Sequence, residues 1–167
     1  MAFETVVAFL TRLCLVALFL PFSALDKVVN FEAAVGQARE AIASPARARA
    51  GVVAGLGVEV VMSLGVLTGI ADRFAALVLA LYCAATALLW KRFWRAPDFA
   101  LVGLSRGRET FWDFLKNLAV AGGFLLLALG PDARDLPAFL DAPLASSRPY
   151  AAGAPAAAPS PVPGDRP

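Results

Sequence analysis

The sequence predicts an all-α membrane protein, a bundle of four transmembrane helices, and three observations favour this fold class. Hydrophobic residues make up 59% of the chain and charged residues only 17%. The mean hydropathy is +0.70, well above that of an ordinary soluble domain. The charges are also spaced so that stretches of about 20 residues, the length that crosses a bilayer, contain one charge or none.

These uncharged stretches give the four helices in order. Arg12 is the only charge between Glu4 and Asp26, and Glu59 is the only charge of the second stretch. A cleaved signal peptide is the alternative for the first helix, but no Lys or Arg precedes it and its apolar run exceeds the usual ~7–15 residues. The predicted helices span about residues 5–25, 50–71, 74–91 and 111–130.

Positive charges are concentrated in two of the connections. The first loop and the third loop are rich in lysine and arginine: Lys27, Arg39, Arg47 and Arg49 in the first, and Lys91, Arg92, Arg95, Arg106 and Arg108 in the third. By the positive-inside rule, both loops face the cytoplasm and both termini lie outside.

Two segments lie outside the predicted bundle. Residues 28–42 have apolar residues at helical spacing among charged ones, which predicts an amphipathic helix on the membrane surface that ends before Pro45. Nine of the twelve prolines lie at or after Pro131. The domains are therefore a transmembrane domain over residues 1–130 and a disordered Pro/Ala-rich tail over residues 131–167.

The charges inside the predicted helices are candidate functional residues. A charge near the bilayer centre costs about 2.5–3.5 kcal/mol on insertion scales, so it needs a partner. We expect Arg12 to pair with Glu59, which lies at a similar depth on the face of helix two that carries small residues. With Asn117 and Lys27 these residues form a polar column that is the candidate substrate site. The alternative is a purely structural ion pair, with Lys27 extending its amine to the interface.

The third loop combines basic and aromatic residues, the composition of a membrane-interface belt. Lys91, Arg92, Trp94 and Arg95 are its candidate contacts with a partner protein or with lipid.

Missing residue types restrict the metal sites and cofactors that the chain can hold. The chain has no His and no CxxC, so we expect no metal site and no cofactor held by the chain alone. Cys14 and Cys83 are interpreted as small buried hydrophobes, and whether they interact is left open. A net charge of +2 gives no indication of nucleic-acid binding.

Four motifs in order resemble the DoxX family of small four-helix membrane proteins. They are PFSALDKVVNF, VEVVMSLGVLTGIADRFAALVLAL, TALLWKRFW and FWDFLKNLAVAGGFLLLAL, and the resemblance covers about residues 5–130. The family's characteristic residues match Lys27, Glu59, Arg73 and the Leu115-Lys116-Asn117 triplet. Members often have a histidine at the position of Lys91, so a role that needs an imidazole there is in doubt.

The resemblance implies a location in the bacterial inner membrane, and together with the residues it leaves three hypotheses for the function. Some relatives are membrane subunits of a thiosulfate:quinone oxidoreductase, so the first hypothesis is a redox-complex subunit that presents quinone or a small polar substrate, with the catalytic cofactor on a partner. The second is a non-enzymatic assembly or accessory protein that docks a partner through its third loop. A small-solute carrier is a third, weakened by the absence of an inverted repeat. Membrane lipid and a protein partner or second copy are the expected contacts.

Overall fold

The computed structural model describes residues 3–151, and every regular element in that range is helical. In chain order the elements are α1 (Phe3–Val16), a π-helix (Leu18–Ser23), α2 (Ala24–Val29), α3 (Phe31–Arg39), α4 (Pro45–Thr68), α5 (Asp72–Trp90), a 3₁₀ turn (Phe93–Arg95), α6 (Arg106–Leu129) and α7 (Leu136–Asp141). Four segments of the described chain are long and apolar enough to cross a membrane: Phe3–Val29, Pro45–Thr68, Asp72–Arg95 and Arg106–Leu129. The predicted fold class is confirmed.

The first span changes its helical winding in the middle. α1, the π-helix and α2 follow one another closely, and Pro21 lies inside the π-helix. Proline has no N–H and its ring clashes with the preceding turn, so a local change to wider turns accommodates it. The span continues to Val29, beyond the predicted end at residue 25.

α4 and α5 form an antiparallel hairpin with a tight turn. Gly69 follows α4 with a φ of 78°, a left-handed conformation that glycine adopts at little cost. At its other end α4 begins at Pro45, which was predicted to end the loop helix. Proline is favoured at the first position of a helix because that N–H would lack a partner anyway. The loop helix ends earlier, at Arg39.

Small residues on α5 allow the helices of the bundle to pack closely. Ala75, Ala76 and Ala80 are buried against larger side chains of the neighbouring helices, including Val16 and Phe124. Such small residues are typical of helix contacts inside membranes. Many large apolar side chains on the outer faces stay exposed, as lipid-facing residues do, among them Leu64, Leu81, Leu88 and Leu126.

α3 is the helix that the sequence predicts in the first loop. Its apolar residues Val35 and Ala38 pack against Ala48 and Val52 at the start of α4. A helix in this loop is therefore confirmed over Phe31–Arg39, its apolar face is covered by α4, and its location on the membrane surface stays a prediction.

The predicted tail begins with ordered chain. α7 and the residues up to Ala151 lie at the end of the bundle that contains the α4–α5 turn, which we call the turn end. The opposite end, with the first and third loops, we call the loop end. Arg73 Nη2, at the start of α5, is 3.4 Å from Asp135 Oδ2, and Phe139 of α7 is buried. Individual side chains thus anchor residues 131–151, the first part of the predicted tail, without a periodic pattern. Residues 152–167, also predicted to be disordered, lie outside the described residues.

Candidate functional site

A buried carboxylate on α4 accepts hydrogen bonds from two neighbouring spans. Glu59 is 1% exposed, and its Oε1 accepts from Lys27 Nζ at 2.8 Å and from the Tyr82 hydroxyl at 2.8 Å. The Ser23 hydroxyl donates to the same oxygen at 3.1 Å. A charge in a low-dielectric interior is tolerated only with partners of this kind, so these donors hold the carboxylate inside the bundle.

The first span places two of these donors on one face. Ser23 and Lys27 are four residues apart, one helical turn, and Lys27 Nζ also donates to Ser23 Oγ at 2.6 Å. The π-helix ends at Ser23, so its wider turns determine how α2 is rotated relative to α1. The winding around Pro21 therefore sets the direction of both donors toward Glu59.

Gly55 makes room for the third donor. A Cβ atom at Gly55 would lie 3.1 Å from the Tyr82 hydroxyl oxygen, closer than an ordinary van der Waals contact. Gly55 is one turn before Glu59 on the same face of α4. The missing side chain thus lets the Tyr82 hydroxyl reach the carboxylate.

The second oxygen of Glu59 is left without a donor. Oε2 is buried and has no hydrogen-bond partner within residues 3–151, and the same holds for Ser63 Oγ one turn further along α4. Buried polar atoms are nearly always paired, and an unpaired one costs about 1–3 kcal/mol. The carboxylate can therefore still accept a hydrogen bond from a molecule that enters the site.

A cavity adjoins this cluster on the side of the loop end. Its volume is about 290 Å³, near the lower end of the ~300–1,000 Å³ of small-molecule sites. Its wall is mainly apolar and includes Phe19, Val52 and Trp90. The polar side chains that line it are Ser23, Lys27, Gln37, Glu59, Tyr82, Thr86, Lys91 and Asn117. An apolar wall with a few convergent polar groups is the usual character of a ligand site.

α3 forms one wall of this cavity. Ala34, Gln37 and Ala38 line it, and Trp90 Nε1 on α5 donates to the Gln37 carbonyl at 3.0 Å. The loop helix is therefore fastened to α5 as well as to α4, and it covers the site.

Opposite charges are balanced around the cavity. Lys27 pairs with Glu59 at 2.8 Å, and Lys91 pairs with Asp113 at 3.1 Å. Each lysine that lines the cavity thus has a carboxylate partner. This balance favours an uncharged ligand, because an anion would have to compete with those carboxylates for each ammonium group.

Arg12 lies in a separate cluster near the turn end. It is 5% exposed, its Nη2 is 2.7 Å from Asp72 Oδ2, and its Nη1 donates to the Val66 carbonyl at 2.8 Å. The predicted Arg12–Glu59 ion pair is wrong, since Glu59 pairs with Lys27. The prediction placed Asp72 in a loop, but Asp72 is the fully buried first residue of α5, where the helix dipole favours a carboxylate.

The C-terminal segment covers this second cluster. We call residues 142–151 the strap. The Ser147 backbone N–H donates to Asp72 Oδ1 at 2.9 Å, and the Ser147 hydroxyl donates to Oδ2. Arg12 Nη2 in turn donates to Ser147 Oγ at 3.1 Å. Two more strap hydroxyls donate to carbonyls of the turn end, Ser146 to Gly69 and Tyr150 to Leu67. Both oxygens of Asp72 are therefore satisfied.

The structure brings together three of the four residues predicted for the substrate site. Lys27, Glu59 and Asn117 line the cavity, whereas Arg12 is not among its lining residues. Ser23 lies near the predicted polar face of the first helix, one turn before Lys27, but was not among the predicted site residues. Nothing in the apolar run around Tyr82 indicated that residue.

The residues predicted for partner or lipid contact lie at the loop end. Lys91 faces the cavity, and Arg92 donates to a backbone carbonyl of α5 at 2.8 Å. Trp94 is 50% exposed and its ring centroid is 5.1 Å from that of Phe93, while Arg95 is exposed. Trp94 and Arg95 are thus accessible, and their binding of a partner or of lipid stays a prediction.

The possible metal ligands and the two cysteines lie apart in the described chain. Within residues 3–151, no three His, Cys, Asp or Glu side chains are grouped to hold a metal ion. Cys83 is buried, as interpreted from the sequence, whereas Cys14 is exposed, so its interpretation as a buried hydrophobe is wrong; both are free thiols.

Four spanning helices around a mainly apolar cavity with several polar side chains are those of a small polytopic membrane protein. A model of the DoxX family matches residues 7–92, more than half of the chain, and the protein belongs to the DoxX family. The matched range contains Lys27, Glu59 and Tyr82. No curated protein and no solved structure matches the chain significantly.

Proposed function

We propose that the protein is the membrane subunit of a redox complex and that its cavity binds the head group of a membrane quinone. Its family and its four spans make it an integral membrane protein. The observation that supports the quinone site most is Glu59, which carries one unpaired oxygen and lines a small, mainly apolar cavity.

The chemistry of a quinone head group suits this cavity. The head group is a flat, uncharged ring with two opposed oxygens, and the lysines around the cavity are already neutralised. Lys27 has three N–H donors and uses two of them on Ser23 and Glu59, so one remains for a carbonyl. The amide of Asn117 supplies another donor on the α6 wall.

The isoprenoid tail needs a route to lipid. Leu18 lines the cavity and is also 50% exposed, so the wall formed by the π-helix reaches the lipid-facing surface. We place the exit of the tail beside this residue.

The electrons must come from elsewhere. The chain has no histidine, the usual ligand of haem iron, and no CxxC motif of the kind that ligates iron–sulfur clusters. We therefore assign the electron-donating cofactor to a partner chain that docks near the cavity.

We also propose that the loop end, and with it the cavity, faces the cytoplasm of the bacterial inner membrane. The concentration of lysine and arginine in the first and third loops supports this orientation. A reporter that works only outside the cytoplasm should be active when it is fused to the C-terminus. Activity of a cytoplasmic reporter at that terminus would reverse the orientation.

Co-purification tests the quinone site directly. The protein is purified in mild detergent, extracted with organic solvent and assayed for quinone per chain. Gly51→Leu should lower the quinone content several-fold, because Gly51 lines the cavity and a Cβ there meets only Ile42 at 3.5 Å, so the larger side chain can fold into the cavity.

The matched control is Gly57→Leu on the same helix. A Cβ at Gly57 meets nothing within 4 Å, and Gly57 is not among the residues that line the cavity. Both variants change the same residue type, so their difference reports on the cavity. Equal quinone content in the two variants would reject the site.

A second function is favoured by the exposed apolar side chains of the third loop. Trp94, Val102 and Leu104 are all exposed there, and an accessory protein could use them to dock a partner. Trp94→Ala should then weaken association with a co-purifying protein more than Arg95→Gln does, because aromatic residues dominate most interfaces. A stoichiometric protein without quinone would support this function over the first.

A further inference from the structure

We propose that Glu59 makes the cavity prefer the reduced form of its ligand, the quinol, over the quinone. This inference rests on the proposed quinone site and adds the redox state that the site selects.

Glu59 offers a ligand an acceptor and no donor. An ionised carboxylate, the form that pairs with Lys27 at 2.8 Å, can only accept hydrogen bonds. Oε1 already has three donors, whereas Oε2 has no partner among the described residues. Glu59 lines the cavity, so Oε2 is the oxygen left to accept a hydrogen bond from a donor that enters it.

The two redox forms differ at this oxygen. A quinol hydroxyl can donate to it, whereas a quinone carbonyl has only lone pairs and would face the lone pairs of the carboxylate. Lys27 and Asn117 can donate to an oxygen of either form, so their hydrogen bonds do not discriminate. Glu59 is thus the residue that separates the two forms, by attraction to one and repulsion of the other.

The expected preference follows from the strength of one hydrogen bond to a charged group, which corresponds to about tenfold or more in affinity. For a two-electron couple, each tenfold preference for the reduced form raises the midpoint potential of the bound couple by about 30 mV. Bound quinone would then accept electrons more readily than free quinone. A shift in this direction favours electron transfer from an electron-donating partner to the bound quinone.

Binding of a matched set of compounds measures the preference. The purified full-length protein in mild detergent is titrated anaerobically with tetramethyl-1,4-benzoquinone, with its hydroquinone, and with the dimethyl ether of that hydroquinone, which has the ring but no donor. The hydroquinone should bind about tenfold tighter than either of the others. Partition into micelles cancels when each dissociation constant is compared between variant and wild type.

Glu59→Gln tests the assignment to a single oxygen. Glutamine can keep a carbonyl oxygen where Oε1 accepts its three bonds, and it then presents an NH₂ donor where Oε2 was. This NH₂ group can donate to an oxygen of either form, so the preference should be lost while both forms still bind, a result that partial unfolding does not produce. The double variant Lys27→Met/Glu59→Gln removes the ammonium that the single variant leaves unpaired and should show the same loss of preference. Gly57→Leu should keep the wild-type preference.

The outcomes separate the two proposals. If no compound binds wild type in a way that Gly51→Leu weakens, the quinone site is wrong and the preference with it. If the compounds bind and Gly51→Leu weakens them, but quinone and hydroquinone bind equally, the site stands and the preference is overturned. An unchanged preference in both Glu59→Gln variants would also overturn it.

Discussion

Two buried ion pairs involve the first span, and they differ in how completely their carboxylates are satisfied. At the turn end, Asp72 receives donors on both oxygens, from Arg12 and from the strap residue Ser147. On the loop-end side, Glu59 receives three donors on one oxygen and none on the other, next to a cavity. We call the Arg12–Asp72 cluster closed, because both carboxylate oxygens have donors, and the Lys27–Glu59 cluster open, because one carboxylate oxygen has none.

This difference shows that burial of a charge does not by itself indicate its role. Ionisable residues inside a membrane are often functional, yet a pair whose every acceptor is occupied has nothing left to offer a ligand. A carboxylate beside a cavity with one unpaired oxygen can still bind a ligand. We therefore interpret Arg12–Asp72 as structural and Lys27–Glu59 as the binding cluster.

The largest expected effect comes from breaking the closed pair. Arg12→Leu or Asp72→Leu should each lower the free energy of unfolding by about 3–5 kcal/mol, because each leaves an unpaired buried charge. The double variant should lose less than the sum of the two. Thermal unfolding in detergent measures all three.

Arg12→Leu combined with Glu59→Gln is the control for this pair. These two losses should add, since Arg12 and Glu59 belong to different clusters. Coupling between Arg12 and Glu59, with none between Arg12 and Asp72, would contradict the pairing in the structure.

A smaller effect is expected from removing the part of the strap after Ala145, which contains its hydrogen-bonding residues. Truncation after Ala145 takes away both hydrogen bonds from Ser147 to Asp72 and should cost about 2–3 kcal/mol of unfolding free energy. Truncation after Ala151 keeps the strap and serves as the reference protein for this comparison. Ligand binding to the cavity should be the same in both proteins. A truncation after Ala145 that leaves stability unchanged would show that the turn end is closed without the strap.

The sequence was sufficient to predict the four membrane spans because the length of each hydrophobic segment shows directly whether it can cross a bilayer. It missed helix starts that depend on local capping. α6 begins at Arg106, where Ser105 accepts a hydrogen bond from the Arg108 N–H at 3.1 Å, and the charges there had been assigned to the loop. It also missed the π-helix, for which Pro21 was the only sign.

The sequence identified the residues of the site better than their pairing. Glu59 stands out because a charge in an apolar run is costly, and Lys27 and Asn117 follow from the helix faces. Pairing depends on how far one helix is shifted along another and on which way a long side chain extends. Arg12 extends toward the turn end to reach Asp72, and neither the helix shift nor the course of the strap can be derived from helical periodicity.

Tyr82→Phe is the third test of the difference between the closed and the open cluster. It removes one donor from Glu59 and should cost about 1–2 kcal/mol of stability. It should also change quinone affinity, because Tyr82 lines the cavity. Tyr150→Phe is the matched control, since Tyr150 donates to the Leu67 carbonyl at the turn end. A similar loss of stability without any change in affinity is expected there. An equal change of affinity in both variants would mean that the two clusters are not independent.

The smallest effect on stability is expected from Gly55→Ala, which acts on the open cluster through Tyr82 alone. Alanine favours a helix over glycine by about 1 kcal/mol, and this gain offsets the cost of a Cβ that lies 3.1 Å from the Tyr82 hydroxyl. Stability should therefore stay near that of wild type while quinone affinity falls several-fold, because the hydroxyl must move away from Glu59. Gly57→Ala receives the same helix gain with nothing within 4 Å of the new Cβ, so it should be slightly stabilised with unchanged affinity. The difference between the two variants isolates the position of one hydroxyl group. If quinone affinity responds to Tyr82→Phe but not to Gly55→Ala, the ring adjusts to the added methyl group, and the distance between Tyr82 and Glu59 is less critical for binding than the number of donors that Glu59 has.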